Sequence, residues 1–156
     1  MNGRTNQDNH RYQLGIAGEN FVAQLLQGSG WQILGTRWHC RWGEIDIIAR
    51  DAEWLIFVEV KTRQGHHPLS SLDAQGRLAV DYRKQQKLGL AAQCFLVEFP
   101  EQFPEHKLPL HHRFDVALVG YMPQTVLSLT NSPTKPPMPY DNLHLVEYLP
   151  HAFELV

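Results

Sequence analysis

At 156 residues the chain is sized for one domain around a single real core. An apolar fraction of 43% with 19% charged residues describes an ordinary soluble globule and argues against a disordered chain. A net charge of −2 and a pI near 6.5 argue against a strongly basic DNA-coating protein, so any nucleic-acid binding has to rest on a local basic patch and on metal.

Cys40 and Cys94 are the only cysteines, too few for a disulfide framework, and fit free thiols in a reducing cytosol. The polar N-terminus has no apolar signal region, and no apolar run approaches the roughly 18 residues of a membrane span. A cytoplasmic protein with no membrane partner is the expectation.

Residues 1 to about 12 have no apolar periodicity and are predicted to form a flexible leader ahead of a single domain over 13–156. From about Gln13 to Gln27 the spacing predicts a helix with Phe21, Val22, Leu25 and Leu26 as its apolar stripe, ended by Gly28 and Gly30. Glu19 falls on the flank of that stripe. It either complements the helix dipole as a first-turn acid or looks towards a sheet. Residues 31 to 38 read as a first strand. Arg37 and Arg41 then flank the approach to Glu44, as phosphate contacts or as solvated surface charge. Trp38 and Trp42 read as buried anchors, with base stacking their other use.

Residues 43 to 63 carry the most information. Two β-branched apolar runs, Ile45–Ala49 and Leu55–Val60, are separated by Arg50-Asp51-Ala52-Glu53 and predict a β-hairpin. Alternation puts Phe57, Glu59 and Lys61 on one side of the second strand, and Glu44 and Asp46 together on the first. Unpaired charges seldom interrupt such strands, because burying them is expensive. One explanation is a strand edge where Glu59 and Lys61 reach solvent or pair with each other. The other is a magnesium site with Asp46 and Glu59 as hard oxygen ligands and Lys61 beside them.

After Arg63 the stretch to Gly76 is rich in turn formers and predicts a loop, either a plain connector or a segment that closes over substrate. The paired histidines, His66-His67 and His111-His112, lack zinc-ligand spacing. A second helix is predicted over about Val80 to Val97, with Leu88, Ala92, Phe95 and Leu96 facing the core and a basic first half containing Lys84 and Lys87. Pro100, Pro104 and Pro109 are expected to break the connection that follows. Residues 113–119 predict a core strand in which Asp115 either supports the acidic site or pairs with Arg113, the structural role being the expected one. Residues 121–142 form a proline-rich loop with a short edge strand at Val126–Leu129. Leu143–Leu149 makes a last strand, and Ala152-Phe153 packs the tail onto the core. The order predicts a three-layer α/β (α+β) domain with a mixed central sheet.

The set Gly18-Glu19, Gly43-Glu44-Ile45-Asp46, Phe57-Val58-Glu59-Val60-Lys61-Thr62-Arg63, Lys84 to Leu88, Arg113-Phe114-Asp115-Val116 and Ala152-Phe153 resembles the YraN-like family of small bacterial proteins, UPF0102. That resemblance implies the restriction-endonuclease-like fold with its PD-(D/E)xK metal site, similar to archaeal Holliday junction resolvases. On this sequence it implies Mg²⁺ or Mn²⁺ at Asp46 and Glu59, Lys61 assisting an attacking water, and Glu19 and Glu44 in support. Lys84 falls on a helix beside the site, and Arg37, Arg63, Lys84 and Lys87 are the expected nucleic-acid contacts. Ile45 stands where the motif's name has proline. The implied function is a Mg²⁺-dependent nuclease or DNA-processing protein acting on the phosphodiester backbone, with branched DNA as the implied substrate and a homodimer as the implied assembly. The alternative is a non-catalytic nucleic-acid- or partner-binding module on the same fold.

Overall fold

The computed structural model describes residues 5–64, 80–109, 111–122 and 142–154. Nearly all of the loop expected after Arg63, and the strand expected at Val126–Leu129, lie outside them.

Helix α1 (Asn6–Gly28) starts where Thr5 and Asp8 cap one another: the Thr5 hydroxyl accepts the Asp8 amide at 3.2 Å, and the Asp8 carboxylate accepts the Thr5 amide at 3.3 Å. The helix thus begins at Asn6 rather than near Gln13, and residues 6–12 are helical, not a flexible leader. Their polar, exposed side chains hide the first turns from a search for apolar periodicity.

Among the described residues five strands follow the order β1-β2-β3-β4-β5: β1 (Gln32–Cys40), β2 (Gly43–Arg50), β3 (Trp54–Gln64), β4 (His111–Tyr121) and β5 (Leu143–Phe153). Neighbours are antiparallel except β3 and β4, which run parallel. The β2–β3 hairpin is closed by Asp51, whose carboxylate accepts the amides of Glu53 at 2.8 Å and Trp54 at 2.7 Å. A parallel pair needs a crossover, supplied by helix α2 (Tyr82–Gln102) between β3 and β4. The expected three-layer α+β arrangement is present, and among the described residues one helix lies on each face of a mixed, open sheet. On the α2 face Ile48, Phe57 and Phe114 pack with Leu88, Phe95 and Phe99; on the α1 face Ile47, Val58 and Val119 pack with Val22 and Leu26.

Two readings of individual residues change. Pro100 lies inside α2, which continues to Gln102. Proline removes an amide and crowds the carbonyl four residues back. The last turns are nevertheless held by a run of rings, Phe95–Phe99 at 6.0 Å and Phe99–Phe103 at 5.2 Å between centroids. Trp38 is the anchor expected, edge-on to Phe95 at 5.4 Å. Trp42 is not: it sits in the turn between β1 and β2, 39% exposed, with the Arg41 guanidinium 4.7 Å from its ring centroid. Among the described residues no helix is long and apolar enough to cross a membrane.

The pleat breaks at Asp46. Ile45 belongs to the core on the α2 face and Ile47 to the core on the α1 face, although residues two apart on a regular strand share a face. Opposite this break, between the pairs Thr36↔Ile47 and Trp38↔Ile45, Arg37 takes a left-handed φ of 47°. The β2–β3 ladder runs from Arg50↔Leu55 only to Ile47↔Val58. Beyond it the Asp46 carboxylate accepts the Val60 amide at 2.8 Å. The two strands part here, which leaves the space a site needs.

Gly18 lets α1 lie close on β3. A Cβ at this position would run into Thr62 Oγ1, a buried hydroxyl with no hydrogen-bond partner. Gly18→Ala is expected to destabilise the fold by about 1–3 kcal/mol, as overpacking does. Adding Thr62→Ala should restore much of that loss. Urea unfolding followed by circular dichroism checks both; a Gly18→Ala variant as stable as the wild type would contradict this packing.

Candidate functional site

Glu59 is the centre of the site. It sits on β3, one of the central strands, with its side chain 2% exposed, and its Oε1 accepts two ammonium groups, Lys61 Nζ at 2.8 Å and Lys84 Nζ at 3.0 Å. Its Oε2 is buried and has no hydrogen-bond partner. Glu59 and Lys61 therefore do pair, as one of the two sequence readings held, but in the protein interior rather than at a strand edge.

Asp46 approaches from β2, oriented by the Val60 amide. Burial, then the nearby Glu59 carboxylate, push its pKa up to about 8, with Glu19 adding to the rise and the Val60 amide and Lys84 opposing it. Glu19 comes from α1. With the helix beginning at Asn6, it lies in the helix interior and cannot act as a first-turn acid. Burial raises its pKa to about 7; Arg37 and Lys84 pull it down, while Glu44 and Glu59 push it up. One Glu19 oxygen, Oε2, is buried without a hydrogen-bond partner and lies 3.9 Å from Arg37 Nε. Lys84 is placed by the cap of α2, where the Asp81 carboxylate accepts its amide at 2.8 Å. Burial works against its charge, but Glu59, with Asp46 and Glu44, more than offsets this and raises its pKa.

The structure thus brings together Asp46, Glu59, Lys61, Glu19 and Lys84, with exposed Glu44 at the margin. Arg37 joins through Glu19. Lys87 is exposed on α2 near Gly43, and Arg63 is exposed near the end of β3. Asp115 stays apart from this cluster: its carboxylate accepts Arg113 Nε at 3.0 Å, the Tyr148 hydroxyl at 2.7 Å and the His151 amide at 3.0 Å, a structural network.

Among the described residues no three His, Cys, Asp or Glu side chains are arranged to hold a metal ion. The donor chemistry still suits a hard cation: Asp46 and Glu59 supply carboxylate oxygens, one of them a buried orphan, and Mg²⁺ needs only one or two such ligands besides water and substrate. A cation here competes with the two ammonium groups for Glu59.

Beside the cluster a groove of about 500 Å³ opens between α1 and β1, lined by Arg11, Tyr12, Thr36, Arg37, His39 and, at its shared border, Glu19 and Glu44. Sequence reasoning missed Arg11, Tyr12 and His39. The Thr5-x-x-Asp8 spacing is the signal that would have extended the helix through Arg11 and Tyr12; nothing in the sequence singles out His39.

Residues 18–119 match the family described as Uncharacterised protein family UPF0102. A UPF0102 protein of Synechococcus sp. (strain JA-3-3Ab) is 45% identical over 91% of this chain and 92% of its own length. One from Trichormus variabilis is 42% identical over 88% of this chain and 91% of its own, and one from Acaryochloris marina is 43% identical over 91% and 80%.

The raised acids make a signed prediction for metal-free protein. A carboxyl whose folded pKa exceeds its unfolded value stabilises the fold below the unfolded pKa, and that contribution is lost as pH rises through the folded pKa. For Glu19 and Asp46 the window runs from about 4 up to about 7 and 8. Asp46→Asn keeps an acceptor for the Val60 amide but cannot ionise. In EDTA its melting temperature should exceed the wild type's above pH 8 and converge with it only below about pH 4. Calorimetry across that range decides; parallel curves for the two proteins would contradict the assignment.

Proposed function

We propose, for this chain, which belongs to the UPF0102 family, a function read from the site itself: a metal-dependent phosphodiester hydrolase acting on nucleic acid. One observation carries it. A buried carboxylate, Glu59, is held between two ammonium groups while Asp46 and Glu19, two further half-buried acids, crowd the same space. Purely structural ion pairs rarely need such an excess of acid, because each added carboxylate raises the electrostatic cost of the fold.

Asp46 and Glu59 would hold Mg²⁺ or Mn²⁺. When bound, such an ion offsets charge on a phosphoryl oxygen and lowers the pKa of a ligated water. Lys61, 2.8 Å from Glu59, keeps an ammonium at the reacting centre to orient water or to stabilise charge developing on the phosphate. Lys84 supplies a second cation from the other layer of the fold, within reach of a neighbouring phosphate. Glu19 and Glu44 hold the local charge negative enough to favour a divalent ion. Branched DNA heads the list of substrates, through the likeness to junction resolvases.

A second reading, a nucleic-acid-binding module without turnover, draws on the same pair of lysines, since they already balance much of the acidic charge unaided.

Mg²⁺ or Mn²⁺ calorimetry should give saturable heat for the wild type, lost in Asp46→Asn and Glu59→Gln with folding preserved. On linear, flapped and four-way DNA, both variants should lose cleavage by at least about 100-fold. Lys61→Ala should still bind metal while losing about 100- to 1,000-fold in rate. Salt-sensitive DNA binding with no metal-dependent cleavage would select the second reading. No metal binding even with DNA present would end the first.

A further inference from the structure

We propose that the groove between α1 and β1 seats a single-stranded nucleotide next to the bond acted on at Glu59, so that the protein selects strands freed from pairing over continuous duplex. This rests on the phosphodiester reading above and names the substrate class of that site.

The groove volume of about 500 Å³ lies within the ~300–1,000 Å³ range of small-ligand pockets, suited to a nucleotide and too small to admit a duplex. Its walls come from two elements, with Arg11 and Tyr12 on the helix and Arg37 and His39 on the edge strand. Guanidinium groups suit phosphate, and half-exposed Tyr12 lines the same groove beside them. Glu19 and Glu44 form the border shared with the acidic cluster and repel phosphate, which sets direction: the anion lies towards Arg11 and His39, and the adjacent bond faces Glu59. Arg37 lies 3.9 Å from Glu19, beyond hydrogen-bond length, so its donors are not consumed by that pair. It also holds a left-handed backbone, φ 47°, a strain that tends to persist where a side chain must be aimed.

Arg11 and His39 are exposed and outside the acidic cluster, so Arg11→Ala with His39→Gln should fold normally. Lys107→Ala is the control, an exposed cation whose own carbonyl is held by Arg50, at the far end of β2 from the site. Anisotropy of a fluorescein-labelled oligothymidylate with a phosphorothioate backbone, and of a duplex of equal length, is measured in Mg²⁺ alongside Mg²⁺ calorimetry. The wild type should bind the single strand about ten-fold more tightly than the duplex. The double variant should lose that preference and flatten the single-strand salt slope by about 0.7 per phosphate contact removed, with its Mg²⁺ heat unchanged. Lys107→Ala should behave as wild type. A double variant that still prefers the single strand, or a wild type that binds duplex as well or binds neither, overturns the proposal. Variant-sensitive single-strand binding without any Mg²⁺ heat would uphold the groove while removing the metal-site reading.

Discussion

The bond between the Asp46 carboxylate and the Val60 amide, 2.8 Å long, is the constraint on which the site depends. A strand that leaves its neighbour exposes donors that must find other partners, and a buried amide left unpaired is costly. Here a side chain takes over at the point where β2 stops pairing with β3. The parting of the strands and the orientation of the acid are thus one feature. A hydrophobic residue at 46 would leave Val60 unsatisfied and favour closing the ladder, which would close the site as well.

Charge compensation is distributed across layers. Glu19 comes from one helical layer, Lys84 from the other, and Asp46, Glu59 and Lys61 from the sheet between them. Lys84 sits in the first turn of α2, the end of a helix where the dipole disfavours a cation. That local disadvantage is offset by Glu59 at 3.0 Å, so the lysine's placement makes sense only with the sheet in position. Such a conflict between local preference and tertiary arrangement is characteristic of functional positions.

The cluster of charged side chains is more legible in the sequence than its surroundings are. Alternation along Phe57 to Lys61 put Glu59 and Lys61 on one face, and their 2.8 Å contact bears this out. Alternation failed at Asp46, because a broken pleat has no period to read. The start of α1 was hidden because its first turns are solvated; the Thr5–Asp8 cap was the available clue, and reading periodicity alone passed over it. Pro100 misled for a related reason: the run of phenylalanine rings that carries α2 past it becomes a cluster only in three dimensions. Trp42 looked like core by residue type, whereas its place in a tight turn between two strands decides otherwise. The groove was least legible, since Arg11 and His39 are far apart in sequence and meet only when the helix lies against the edge strand.

Among the described residues both outer strands of the sheet are interrupted. On β1 the register slips between Ile33 and Gly35, and Arg37 adds a left-handed residue. On β5 the pairing slips twice against β4, and Pro150 is followed by His151 with φ 52°. A flat, regular margin invites a strand from another molecule, the first step towards a continuous ribbon of chains. These interruptions break, along β1 and β5, the straight run of donors and acceptors that such an addition needs. The irregularity that shapes one wall of the groove thereby also makes β1 a poor edge for a second strand to join.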